Sequence, residues 1–102
     1  MYTLITAANS SQAYKLKTTL NSDDVLLGDY LELPDLLVRS GKVLKLPNPQ
    51  TIAYTHEMLA LCLDKNIDTV YALRKPEQQL LLEAVQLFFE YDIKILVTED
   101  EV

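Results

Sequence analysis

The chain has 102 residues, a formal net charge of −6 at pH 7 and an apolar fraction of 49%. This length is enough for one hydrophobic core and too short for two, so we expect a single domain over residues 1–102. The net negative charge of the chain repels the phosphate backbone of nucleic acids, so nucleic acid is not an expected partner. No apolar run approaches the ~20 residues that cross a bilayer, and no basic segment precedes the first apolar one, so we expect a cytoplasmic protein without a membrane partner.

The N-terminal part alternates strand-like and helix-like patterns. Residues 2–6 predict the first strand, and either Ser10 or Ser11 can cap a helix whose apolar residues repeat on one face. Residues 24–28 predict a short second strand. This alternation indicates a β-α-β unit at the start of the chain.

The next segment predicts a brief helix and a third strand. Residues 34–40 suit a helix of two turns at most, and Gly41 suits a left-handed residue just past its end. Residues 43–46 predict the third strand, in which Lys45 interrupts an apolar run as an edge or solvent-facing residue would.

The second half repeats the pattern with longer helices. Asn48 and Pro49 predict a helix start, and the helix extends to about Lys65, with Asn66 as a left-handed end. Residues 69–73 are apolar on both sides, which predicts the centre of the sheet.

The last elements complete five strands and four helices. Pro76 begins a helix with a broad apolar stripe, and residues 93–97 predict the fifth strand. Short connections between alternating elements imply right-handed crossovers. We therefore predict an α/β, three-layer Rossmann-like sandwich with a mostly parallel five-stranded sheet.

Ligands of such a sheet bind beyond the carboxyl ends of its strands. Asn9 and Ser10 follow strand one and offer an amide, a hydroxyl and helix-terminal N–H groups to a carboxylate or phosphate, although ordinary helix capping explains them equally well. Arg74 and Lys75 follow strand four and can attract a small anionic ligand, with a solvated loop as the alternative.

Two carboxyl groups complete the candidate ligand-binding residues. Asp29 stands where a dinucleotide-binding fold carries its ribose-binding carboxylate, but the first loop lacks the glycine series, so we expect no nicotinamide cofactor. Glu77 lies in the first turn of its helix, where the helix dipole favours it and where it can also accept a hydrogen bond from a ligand.

The sequence predicts no catalytic residue, no metal site and no cofactor. His56 is the single histidine and has no neighbours at metal-ligand spacing. Cys62 is the single cysteine and is predicted to be a buried, inert thiol. No nucleophile elbow is present, so a self-sufficient hydrolase is not expected.

Three segments together suggest a family. They are Thr-Leu-Ile-Thr-Ala-Ala at residues 3–8, Tyr-Thr-His-Glu-Met-Leu-Ala-Leu-Cys-Leu-Asp-Lys-Asn-Ile-Asp at 54–68, and Leu-Arg-Lys-Pro-Glu-Gln-Gln-Leu-Leu-Leu-Glu-Ala at 73–84. These segments resemble the N-terminal, pre-ATP-grasp domain of ATP-grasp enzymes akin to the carbamoyl-phosphate synthase large subunit. The resemblance implies a Rossmann-like domain that forms one wall of a substrate cleft, without the two lobes that clamp ATP and magnesium. At the loop after strand four only Pro76 and Glu77 match the family pattern.

Two functions are compatible with these observations. The first is a noncatalytic module that holds a small ligand at its strand ends or docks onto a separate ATP-grasp subunit, as the resemblance implies. The second is a self-associating structural or regulatory protein, which forms a homodimer through exposed apolar residues of the last helix such as Leu82 or Phe89.

Overall fold

The computed structural model describes residues 1–8, 10–20, 23–31, 35–41 and 43–97. In this part of the chain, five parallel strands form one sheet with helices on both faces. The elements in chain order are β1 (Tyr2–Ile5), α1 (Ser11–Leu20), β2 (Val25–Asp29), α2 (Asp35–Arg39), β3 (Val43–Lys45), α3 (Tyr54–Asp64), β4 (Ile67–Ala72), α4 (Lys75–Glu83), α5 (Val85–Glu90) and β5 (Lys94–Val97).

The strand order β3-β2-β1-β4-β5 produces a switch point between β1 and β4. From β1 the chain winds outward to β3, and α3 then carries it back to β4 on the other side of β1. Neighbouring crossovers diverge at this point, so the carboxyl ends of β1 and β4 bound the crevice in which such folds bind ligands. The predicted Rossmann-like three-layer architecture is confirmed.

Alternating side chains of the strands divide the core into two layers. Leu4 and Val70 pack with Phe88 and other residues of α3, α4 and α5 on one face of the sheet. Ile5 packs with Ala13 of α1 on the opposite face. All five of these side chains are fully buried. Two covered faces explain why the strands are apolar on both sides rather than alternating with polar residues.

The predicted position of β4 at the centre of the sheet is wrong, because β1 is the middle strand. β4 pairs with β1 on one side and with β5 on the other, so it is an interior strand next to the centre. Any interior strand between two helix layers buries both of its faces, so apolarity cannot rank the interior strands. The predicted edge position of Lys45 is confirmed, since β3 ends the sheet and this side chain is exposed.

The predicted start of the third helix at Asn48 is also wrong, because α3 begins at Tyr54. Oδ1 of Asn48 accepts a hydrogen bond of 2.9 Å from the backbone N–H of Gln50, and its carbonyl accepts one of 3.1 Å from the N–H of Thr51. Asparagine side chains close such turns as readily as they cap helices. The segment 48–53 therefore forms turns before the helix begins.

The last predicted helix is divided into α4 and α5 at Ala84. Ala84 has φ −106° and ψ 12°, and its N–H donates to the carbonyl of Leu81 at 3.2 Å. This bond tightens the last turn of α4, as commonly happens at helix ends. The described part of the chain therefore has five helices rather than four. None of them combines the length and the apolarity needed to cross a bilayer.

Four described residues adopt the left-handed backbone conformation. Gly41 (φ 77°) and Asn66 (φ 57°) do so after α2 and α3, as the sequence predicts. Ala7 (φ 58°) and Asp92 (φ 61°) do so as well. For an alanine this conformation costs roughly 1–2 kcal/mol. Ala7 follows β1 at the switch point, so the strain lies beside the crevice.

Candidate functional site

Buried polar side chains converge at the carboxyl ends of β1, β2 and β4. We call Thr6, Asp29, Tyr54, Arg74 and Glu77 the strand-end cluster. Four of these residues are at most 1% exposed, and the side chain of Arg74 is 14% exposed. Burying polar groups is costly unless they are paired, so the hydrogen bonds within the cluster decide its stability and its chemistry.

Asp29 and Arg74 form a two-point ion pair between β2 and the loop after β4. Nε of Arg74 donates to Oδ1 of Asp29 at 3.2 Å, and Nη2 donates to Oδ2 at 2.9 Å. Hydrogen bonding to Asp29 raises the pKa of Arg74 above its usual value, although burial opposes this. The guanidinium carbon also lies 5.6 Å from the ring centroid of Tyr30. The cation that the sequence predicts as an anion-binding group is therefore engaged by a carboxylate of the protein.

Glu77 is the least satisfied member of the cluster. Its Oε2 accepts a hydrogen bond of 2.9 Å from the phenol of Tyr54, whereas its buried Oε1 has no hydrogen-bond partner among the described residues. The pKa of Glu77 is raised from 4.5 to about 7, first by burial and then by the charge of Asp29, while the phenol of Tyr54, the charge of Arg74 and the hydroxyl of Thr6 oppose this rise. The buried carboxyl group therefore changes between its protonated and ionised forms near pH 7.

Tyr54 remains protonated throughout the ordinary pH range. Burial raises the pKa of its phenol well above 10, and the adjacent Glu77 raises it further by repelling the phenolate and by accepting its proton in a hydrogen bond. Because Tyr54 is the first residue of α3 and Glu77 lies in the first turn of α4, this bond joins the starts of two helices.

The loop after β1 is held by hydrogen bonds to both neighbouring strands. The N–H of Thr6 donates to the carbonyl of Tyr71 at 3.0 Å, and its hydroxyl accepts from the N–H of Leu73 at 2.9 Å. The N–H of Ala8 donates to the carbonyl of Gly28 at 3.0 Å. Residues 6–8 are therefore held in place at the switch point although this segment contains no glycine.

Two other sequence-predicted site residues, Ser10 and Lys75, lie outside the strand-end cluster. Oγ of Ser10 donates to the carbonyl of Ala7 at 2.8 Å and accepts from the N–H of Ala13 at 3.3 Å, so Ser10 caps α1 as the sequence also allows. Lys75 is exposed to solvent. Asn9 lies outside the described residues.

Sequence reasoning did not identify Thr6 and Tyr54 as site residues. Thr6 is the polar end of the first predicted strand, and a hydroxyl at that position was a usable signal. Tyr54 was placed inside a helix that was predicted to begin at Asn48. In the structure Tyr54 is the first residue of α3, and its phenol bonds to Glu77 at the carboxyl edge of the sheet.

Within the described ranges, no three histidine, cysteine, aspartate or glutamate side chains are grouped so that they could hold a metal ion. His56 is exposed on α3. Cys62 is buried, and burial raises the pKa of its thiol to about 12, so it stays protonated, in agreement with the predicted inert thiol. The strand-end cluster instead offers hydrogen-bonding groups, among them Oε1 of Glu77, which accepts no hydrogen bond from the described residues.

The chain matches no protein-family model, and no curated protein shows significant sequence similarity to it. The fold supplies a location for ligand binding but not an identity for the ligand, since unrelated functions share this architecture. The chemistry of the strand-end cluster is therefore the basis for a functional assignment.

Proposed function

We propose that this chain is a noncatalytic module that binds a small ligand at the carboxyl edge of its sheet. The observation that carries the proposal is Glu77, a fully buried carboxyl group at the switch point, one oxygen of which has no partner in the described part of the chain. An unpaired buried acceptor costs about 1–3 kcal/mol, so folding alone does not favour the arrangement. Costs of this kind are concentrated at binding sites, where a ligand supplies the missing partner.

The rigidity of the surroundings supports this role. The ion pair of Asp29 and Arg74 ties β2 to the loop after β4, and the bond from Tyr54 holds the Glu77 carboxyl in one orientation. A binding group that is oriented before the ligand arrives loses less conformational entropy on binding. The strand-end cluster therefore has the preorganisation that a specific small-ligand site requires.

The resemblance to pre-ATP-grasp domains supports a more specific form of the proposal. In enzymes akin to the carbamoyl-phosphate synthase large subunit, such a domain forms one wall of a substrate cleft. By analogy, this chain holds its ligand for a separate ATP-grasp subunit in the cytoplasm, and that subunit supplies the catalytic lobes. The analogy extends to Pro76 and Glu77, the two residues that match the family pattern at the crevice.

Ligand screening of the whole chain tests the proposal. Thermal unfolding is measured with nucleotides, amino acids, amines and phosphates, in the wild type, in Glu77→Gln and in the control Glu83→Gln. Glu83 is exposed on the same helix, so its variant removes the same formal charge at the surface. A ligand at 100 times its Kd stabilises by about 2.7 kcal/mol, which raises Tm by several degrees. We expect one class to do so in the wild type and in Glu83→Gln but much less in Glu77→Gln.

Two results would contradict the proposal. Failure of every class to stabilise the wild type would remove the small-ligand role. Turnover of a substrate by the isolated chain would remove the noncatalytic role. Co-purification with an ATP-grasp subunit tests the more specific form separately.

A second candidate function, self-association, is favoured by an exposed apolar stripe across α4 and α5. Leu82, Val85 and Phe89 are 48%, 42% and 65% exposed and recur at helical spacing. The exposure that the sequence predicts for Leu82 and Phe89 is thus observed. The neighbouring strand β5 forms an edge of the sheet, and an apolar stripe beside an unpaired edge is a typical interface between copies.

Light scattering over a range of concentrations tests this second candidate. We expect a concentration-dependent dimer that Phe89→Lys disrupts, whereas the control Glu57→Lys, at an exposed position on α3, leaves it intact. A strict monomer at all concentrations would exclude the second candidate and leave the ligand-binding proposal untouched.

A further inference from the structure

We infer that the ligand of the strand-end cluster presents a positively charged nitrogen, as in a primary ammonium group, to Oε1 of Glu77. This inference rests on the proposed function and specifies the chemical class of the ligand. It also differs from the sequence-based expectation, in which Arg74 and Lys75 indicated a small anion. Charge balance and hydrogen bonding support it, and the pKa of Glu77 gives it a measurable signature.

The charge balance of the strand-end cluster favours a cationic ligand. The cluster has one cation, Arg74, and two carboxyl groups, and both hydrogen bonds of the ion pair join Arg74 to Asp29. When Glu77 is ionised, it is a buried negative charge. Within the cluster, its hydrogen bond comes from the neutral phenol of Tyr54 and not from a cation. A cationic group compensates a buried carboxylate, whereas an anion would add repulsion from both carboxyl groups.

The hydrogen-bonding capacity of Glu77 leads to the same chemical class. An ionised carboxylate only accepts hydrogen bonds, so its partner has to be a donor. The phenol of Tyr54 already donates its proton to Oε2, and the hydroxyl of Thr6, which accepts from the N–H of Leu73, lies near the carboxyl group and lowers its pKa without forming a hydrogen bond to Oε1. Of the possible donors, a charged nitrogen forms roughly twice as strong a bond to a carboxylate as a neutral group does.

Proton exchange by Glu77 provides a distinctive signature of this ligand. Its pKa of about 7 reflects burial first, with Asp29 of β2 raising it and Tyr54 of α3, Arg74 and Thr6 lowering it. A bound ammonium group favours the ionised carboxyl, so binding below pH 7 expels a proton from Glu77. Linkage then predicts that the affinity for the ammonium group rises with pH by up to about tenfold per unit and becomes constant above pH 7.

The exposure of the surrounding residues limits the size of the binding group. Arg74 and Tyr30 are partly exposed, whereas Thr6, Asp29 and Glu77 are fully buried. Oε1 of Glu77 is itself buried, so a compact ammonium group suits it better than a large polar one.

Titration of the uniformly ¹⁵N-labelled full chain, followed by NMR, tests the inference. Ethylammonium chloride, sodium propionate and sodium phosphate are compared at constant ionic strength and pH 7.5. We expect ethylammonium to cause saturable shifts at the backbone amides of Thr6, Leu73 and Glu77. Loss of a charge-assisted hydrogen bond should weaken this binding at least about tenfold in Glu77→Gln. The control Glu83→Gln should bind ethylammonium like the wild type.

The other outcomes overturn the inference in distinguishable ways. If propionate or phosphate shifts these amides and ethylammonium does not, the predicted charge of the ligand is wrong while the proposed ligand-binding function stands. If ethylammonium binds all three proteins alike, it is attracted to the acidic surface and not to Glu77. If no probe shifts these amides, the inferred ammonium-bearing ligand is wrong, and the wider thermal screen decides the proposed function separately.

Discussion

The phenol of Tyr54 donates a hydrogen bond of 2.9 Å to Oε2 of Glu77, 23 residues further along the chain. Both groups are buried, and the bond joins the start of α3 to the first turn of α4 at the carboxyl edge of the sheet. The fold thereby holds a carboxyl group in a fixed position while leaving its other oxygen unpartnered. This pair has consequences for stability that can be measured without knowing the ligand.

The first prediction concerns the pH dependence of folding. The pKa of Glu77 rises from 4.5 to about 7 on folding, so the folded state binds this proton more tightly than the unfolded state. Its contribution to stability is fully present below pH 4.5 and is lost as the pH rises to 7. The loss is roughly 2–4 kcal/mol. Denaturant unfolding at pH 5 and pH 8 should show this decrease in the wild type and in Glu83→Gln.

Glu77→Gln is the decisive comparison for the first prediction. Glutamine has nearly the same shape and no charge, so the variant should lack this part of the decrease and be more stable than the wild type at pH 8. If the free energy of unfolding of Glu77→Gln decreases between pH 5 and pH 8 as much as that of the wild type, the Glu77 carboxyl group is not the cause of the decrease.

The second prediction is that Tyr54→Phe destabilises the protein. The substitution keeps the buried ring but removes the donor, which leaves both oxygens of Glu77 unsatisfied. We expect a loss of about 1–3 kcal/mol at pH 8 and a smaller loss at pH 5, where the carboxyl group is protonated. A double-mutant cycle with Glu77→Gln, followed by denaturant unfolding, measures the coupling. Additive effects of the two substitutions would contradict the hydrogen bond.

The third prediction concerns the ion pair between Asp29 and Arg74. Arg74→Met leaves a buried carboxylate without its cation, which costs up to about 3–5 kcal/mol in fully buried pairs. Because the side chain of Arg74 is 14% exposed, we expect a loss toward the lower end of this range. The double variant Asp29→Asn with Arg74→Met should recover most of the lost stability in chemical unfolding. Failure to recover it would assign the loss to packing instead of charge.

The fourth prediction compares the two glycines. A Cβ atom at Gly28 would lie 2.8 Å from Cδ2 and 2.9 Å from Cγ of Leu46, so Gly28→Ala should cost about 1–3 kcal/mol through overpacking. A Cβ atom at Gly41 would meet no described residue within 4 Å, so Gly41→Ala should cost only the strain of its φ of 77°, about 1 kcal/mol. Adding Leu46→Val should lessen the cost of Gly28→Ala and leave the cost of Gly41→Ala unchanged. Equal rescue of both variants would contradict the steric explanation.

Part of the fold follows from local patterns. The sequence alone predicted five strands alternating with helices, because apolar residues at period two and at helical spacing recur within each segment. It also predicted the left-handed conformation of Gly41 and Asn66, which depends on residue type and position at a helix end. Asp29, Arg74 and Glu77 were predicted to lie at the strand ends because every parallel sheet has that geometry.

Tertiary contacts decided what local patterns could not. The central position of β1, the pairing of Asp29 with Arg74 and the bond between Tyr54 and Glu77 each depend on residues far apart in the chain. Residue type placed a cation at 74 and a carboxylate at 29 but could not show that they neutralise each other. That the buried Oε1 of Glu77 has no partner among the described residues emerges only when all its neighbours are in place, because hydrogen bonding and burial are properties of the assembled surroundings.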